Sequence, residues 1–164
     1  MAAQQPGIAQ RIEQPYVAVR ALVTMQTLGE VLPALHPKLR DWLRSQDVQP
    51  AGQPFYKYNV IDMDRQLEVE VGFPVAAPVT GEDQVLAAFL PAGRYATLWH
   101  TGHPDGLAGA TQTQLDWAAQ QGLAWDVTCT PDGEHWGCRL EVYHDEPGQD
   151  MSEWETELAI KLAD

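Results

Sequence analysis

At 164 residues and 45% apolar content, the chain has the size and composition of one folded domain, not of a disordered segment. Its formal net charge is −13, unevenly spread: residues 1–65 hold seven Lys/Arg against six Asp/Glu, and residues 66–164 hold three against seventeen. That balance argues against a phosphate-binding surface, so no direct nucleic-acid binding is expected, and no run approaches the ~20 apolar residues of a membrane-spanning helix.

The opening Met1-Ala2-Ala3-Gln4-Gln5-Pro6 lacks the basic start and apolar run of a signal peptide, which makes the cytoplasm the expected location and leaves no membrane partner. A first alternation over residues 11–23 reads as a strand, with Pro15 demoting its early part to an edge or bulge. Leu28, Val31, Leu32, Leu35, Leu39, Trp42 and Leu43 then recur at helical spacing. Because Pro33 and Pro37 fit only a first turn, the regular helix is expected to begin near one of them.

A hairpin follows, with arms 55–61 and 66–75 around a turn at 62–65. In the second arm Leu67, Val69, Val71 and Phe73 face a core. Glu68 and Glu70 face the other way, as a wet face or as a paired-acid site. Next come strands at 85–90 and 95–101 and a helix from about 107 to 121, which Gly122 ends in a left-handed conformation. A second hairpin pairs 123–129 with 136–144 around Pro131-Asp132-Gly133, and residues 154–162 read as a short helix or an edge strand. The order is strand–helix–strand–strand, twice over, which gives an α+β fold in one domain, 1–164, with modules at about 8–80 and 81–164.

Cys129 and Cys138 lack Cys-x-x-Cys spacing, and the five histidines lack metal-ligand spacing, so no metal and no cofactor is expected. In a reducing compartment both thiols are expected to be free.

Several segments together resemble the GyrI-like small-molecule-binding domain family, the effector-binding fold of multidrug-responsive transcription activators. They are Glu68-Val69-Glu70-Val71-Gly72-Phe73-Pro74-Val75, Leu90-Pro91-Ala92-Gly93-Arg94-Tyr95-Ala96, His100-Thr101-Gly102 before a helix with Leu115-Asp116-Trp117, and Leu140-Glu141-Val142-Tyr143-His144-Asp145-Glu146-Pro147. The resemblance implies two modules related by a pseudo-twofold, a ligand cleft between them, and a cleft glutamate in a Glu-x-Tyr segment, here Glu141 with Tyr143. After Gly102 the chain departs from the pattern, with His103-Pro104-Asp105 in place of a proline–aromatic pair. Since no residues remain for a helix-turn-helix, a stand-alone version is implied.

Strand alternation puts Glu141 and Tyr143 on one face and Leu140 and Val142 on the other. With the aliphatic pair against the helices, Glu141 and Tyr143 look into the cleft. A carboxylate among aromatics is poorly solvated and suits a flat, lipophilic cation. Trp99 is the first aromatic expected to wall the site, with Trp136, Tyr56 and Tyr58 behind it. The alternative for Glu141 is a structural ion pair with Arg139 or Arg94. The resemblance also implies an enzyme reading, hydrolysis of reactive cyclopropane-type compounds with Glu141 as the catalytic acid or base. A third reading, suggested by seven acids and no Lys or Arg between Glu141 and Glu157, is an acidic module for an unknown protein partner, as a gyrase inhibitor would be.

Overall fold

The computed structural model describes residues 5–82, 84–144 and 148–163. The leader reading at Met1–Gln4 and the motif end Asp145-Glu146-Pro147 lie outside the described residues. Ten strands and two helices follow the order β1 (Gly7–Arg11), β2 (Gln14–Val23), α1 (Leu28–Ser45), β3 (Phe55–Ile61), β4 (Leu67–Pro74), β5 (Val85–Leu90), β6 (Gly93–Thr101), α2 (Leu107–Gln120), β7 (Val127–Thr130), β8 (Gly133–Trp136), β9 (Arg139–Tyr143) and β10 (Glu155–Lys161). The strands form one antiparallel sheet ordered β1-β6-β10-β9-β3-β4-β2-β5, with the β7–β8 hairpin attached through β8 to β3. The fold is α+β, and the sheet curls into a half-barrel. No helix among the described residues is long and apolar enough to cross a membrane.

Each face of the sheet carries a buried cluster. One carries the helices: Val23, Leu32, Ile61, Leu67, Val69, Val71, Trp136 and Ile160 pack there as one cluster, and Val17, Leu39, Leu43, Phe73 and Val75 as another. The other closes on itself around Tyr16, Ala18, Phe55, Tyr95, Cys138, Leu140 and Ala159. This second interior corrects the reading of Glu70 as a wet-face acid, because Glu70 is buried. It accepts hydrogen bonds from the Tyr16 hydroxyl and the Asn59 amide, and the Lys57 ammonium stands 3.8 Å away. A buried carboxylate with that set of partners is satisfied as a structural group.

Three other expectations change. First, the helix does not wait for its prolines: α1 begins at Leu28 and runs through Pro33 and Pro37. Both prolines lie on the exposed face, so the carbonyls of Gly29 and Pro33, which lose their donors, face water. Leu32, Leu39 and Leu43 are almost fully buried, at ~1.5–3 kcal/mol each, and that burial offsets much of the cost of about 3 kcal/mol per internal proline. Second, residues 154–162 are neither a helix nor an edge: β10 lies between β6 and β9, with Leu158, Ala159 and Ile160 all buried. Third, the long second hairpin splits. Among the described residues β7 pairs with β8, and β8 also with the end of β3, while β9 pairs with β10 and β3. The break falls at Gly137, where a Cβ would collide with the Asp126 carboxylate. Gly122 does end the second helix region at φ 71°, and both cysteines are free.

Candidate functional site

On the helix-bearing face α1 rests on β2 and β4, and α2 on β6. The strands β10, β9 and β3 lie between the two helices on that face. Partners across a strand pair point to the same side, so register settles which side chains share that face. The row Leu98, Leu158, Glu141, Tyr56, Val71, Val19 runs across β6, β10, β9, β3, β4 and β2. Val71 packs in the helix-side cluster, which places Glu141 and Tyr56 on that face. The orientation differs from the sequence expectation: Leu140 and Val142 turn away from the helices into the curled interior, and Glu141 and Tyr143 face the helix side.

At Glu141 two phenols converge on one oxygen. The Tyr58 hydroxyl donates to Oε1 at 2.9 Å and the Tyr143 hydroxyl at 2.6 Å. Among the described residues no group donates to Oε2. Protein surrounds Glu141 on most sides although part of it stays exposed; burial raises its pKa, against the two tyrosine hydrogen bonds and the nearby Arg139, which lower it. Burial and the Glu141 charge likewise hold the Tyr58 and Tyr143 hydroxyls protonated, well above the usual phenol range.

Aromatic rings continue across this face towards α1. Tyr56 meets Tyr143 edge-on, with centroids 5.1 Å apart, and His36 of α1 stacks on Tyr56 at 5.1 Å with the rings 9° from parallel. Burial lowers the His36 pKa to about 4, so at neutral pH the ring is uncharged, its Nε2–H donating to the Phe55 carbonyl at 3.3 Å. Towards α2, Trp136 is buried in the helix-side cluster, with Trp125 set edge-on at 6.2 Å and Leu115 packed against it.

Of the side chains singled out in the sequence, the structure brings Glu141, Tyr143, Tyr58 and Tyr56 into direct contact, with Trp136 further along the same face. It does not bring Trp99 there. Trp99 pairs with Glu157, Glu157 with Val142 and Val142 with Phe55, a row that points to the opposite face. The Trp99 ring lies against His144 at 4.5 Å. Sequence reading passed over His36, although it falls in the helical stripe Leu32–His36–Leu39–Leu43, and Gln114, which is fully buried and donates to the carbonyls of Ala96 and Leu158. Polar residues at apolar-stripe positions were the available signal. A separate depression of about 370 Å³, lined by Leu22, Val60, Glu68 and His135 among others, opens on the opposite face and does not include Glu141. Among the described residues no group of three or more His, Cys, Asp or Glu could hold a metal ion.

A curled antiparallel sheet with two helices on one face, and a tyrosine-bound carboxylate on the strands between them, is the arrangement that the family comparison explains. The chain belongs to the GyrI-like family: the GyrI-like small molecule binding domain matches residues 4–163. No curated protein sequence matches it. In fold it is similar to the EcmrR C-terminal domain, with a TM-score of 0.75 and 19% identity over 99% of each chain. It covers 57% of the EcmrR chain in a complex with DNA, so it spans little more than half of that protein. A hydrolase from Listeria innocua is similar with a TM-score of 0.63 and 14% identity, over 98% of this chain and 92% of that one. SAV2435, solved bound to tetraphenylphosphonium, has a TM-score of 0.59 and 11% identity, over 97% and 94% of the two chains. At these identities the likeness is one of fold.

Proposed function

We propose that this domain captures lipophilic aromatic cations in the groove between α1 and α2, with Glu141 as the counter-charge. In this reading β2–α1–β3–β4 and β6–α2–β9–β10 act as two like halves, related by a pseudo-twofold, that share the groove floor. The observation that carries it is the state of Glu141: a partly buried carboxylate, held by two tyrosine hydroxyls on one oxygen, with no donor to the other oxygen among the described residues. A cation entering the groove restores the solvation that burial removed, and the rings of Tyr56, Tyr143 and His36 offer π faces and edges to a flat or aryl-bearing ligand. That the similar SAV2435 was solved with tetraphenylphosphonium supports this chemistry. Titration with tetraphenylphosphonium, read by tryptophan fluorescence, is expected to saturate, and Glu141→Gln to weaken binding roughly 10–100-fold. Equal affinity of the variant removes Glu141 from the reading.

A second reading, hydrolysis of a strained-ring electrophile, draws on the same carboxylate. Its raised pKa brings it closer to the range of a general acid or base, and the Listeria innocua hydrolase shares the fold. Incubation with cyclopropane-bearing alkylators, followed by mass spectrometry of the products, separates turnover from capture; intact alkylator after many protein equivalents rejects the enzyme reading.

A further inference from the structure

Arg139 precedes Glu141 by two residues on β9, so the two side chains leave the same face of the strand about 6–7 Å apart at their Cα atoms. Leu140 between them is buried in the opposite interior. The Arg139 guanidinium lies over the Trp136 indole, 4.5 Å from its centroid. Among the described residues it has no carboxylate at ion-pair distance and no hydrogen-bond acceptor. Its electrostatic neighbours are Glu141, Glu134 and Tyr58, and burial pulls its pKa down. A guanidinium carries five N–H donors in a planar fork, and those of Arg139, which is only half-buried, remain open to water or to an incoming ligand. Stacking on an indole fixes the plane of the group but satisfies none of those donors.

We propose that Arg139 is a second, anion-accepting pole of the groove, so that the site selects amphoteric aromatic ligands, with a cationic nitrogen and a carboxylate about one strand pleat apart, over simple monocations. The inference rests on the reading of Glu141 as the cation pole. A monocation beside Glu141 also meets the positive charge of Arg139, and the two effects oppose each other. A ligand carrying both charges in the matching order gains at each pole, and its carboxylate takes the fork of N–H donors in a bidentate pair.

Two dyes that differ in one group test this: rhodamine 110, a zwitterion at neutral pH, and rhodamine 123, its methyl ester and a monocation. Fluorescence anisotropy with the intact protein is expected to give roughly tenfold tighter binding of the zwitterion. Arg139→Gln should erase that ratio, weakening the zwitterion and strengthening the ester, whereas Glu141→Gln should weaken both. Arg139→Lys, which keeps the charge and loses the planar fork, should retain part of the preference and supplies a readout should the glutamine variant fold poorly. Dye binding that depends on Glu141, with a zwitterion-to-ester ratio unmoved by either Arg139 substitution, overturns the role of Arg139 alone. No binding of either dye, or binding indifferent to both residues, overturns the groove reading and this inference together.

Discussion

A carboxylate that accepts two phenol hydroxyls is stabilised as an anion, and one stripped of water is destabilised; at Glu141 both act, and desolvation is the larger. Its raised pKa gives the site a pH dependence with a definite sign. Between the ordinary carboxylate pKa and the raised folded value, the folded chain holds a proton that the unfolded chain has lost, so this group's contribution to stability falls as pH rises through that window. For ligand binding the direction is the reverse. On the proposed reading a cation needs the ionised form, so affinity for tetraphenylphosphonium is expected to fall as pH drops through the folded pKa, approaching tenfold per pH unit below it. Tyr143→Phe removes the 2.6 Å hydrogen bond that pulls this pKa down. Its midpoint for binding against pH is therefore expected to move upward, while Glu141→Gln gives a flat profile from pH 5 to 8. A profile that Tyr143→Phe leaves in place would mean the hydroxyl only orients the carboxylate.

Each element shows what local pattern reveals and what pairing alone decides. Alternation located β4 and helical spacing located α1, because both depend on residues a few positions apart. Glu141 and Tyr143 share a face for the same reason. Tyr58 is legible in the sequence only as an aromatic behind the site wall; its hydrogen bond to Glu141 comes from a strand 83 residues earlier, through a register that no local pattern encodes. Trp99 reads as a plausible wall until β6 is paired with β10, when strand parity sends it to the other face. The central place of β10 was hidden likewise, since its apolar run over Leu158-Ala159-Ile160 is as compatible with an edge as with a middle strand. In α1 the conflict between Pro33 or Pro37 and the buried leucine stripe is resolved by tertiary packing. Because these prolines sit on the exposed face, Pro33→Ala and Pro37→Ala should each stabilise the fold by about 1 kcal/mol, or ~2–4 °C in Tm, after allowance for the added freedom of the unfolded chain. Calorimetry checks this, and a fall in Tm would show that the helix needs the bend the prolines impose.

For the whole molecule, a net charge of −13 sets up a field that draws cations towards the surface at long range. The acids are concentrated after residue 65, in the half that supplies β9 and its Glu141. Several are taken up by partners: Glu157 pairs with Arg11 at 2.6 Å, and Asp126 with Lys161 at 3.2 Å. Others, such as Glu153 and Glu155, are exposed and contribute only at long range. Long-range and contact electrostatics part company as salt is added, since the Debye length shrinks from about 30 Å at 0.01 M to about 8 Å at 0.15 M while a desolvated contact is screened far less. Tetraphenylphosphonium association, followed by stopped-flow fluorescence, is therefore expected to slow by about threefold or more over that range, with dissociation nearly unchanged. Glu141→Gln should show the complementary pattern, a faster dissociation with the salt dependence of association intact. If association is indifferent to salt, the acidic surface plays no part in ligand capture, and its role reduces to keeping the protein dispersed in water.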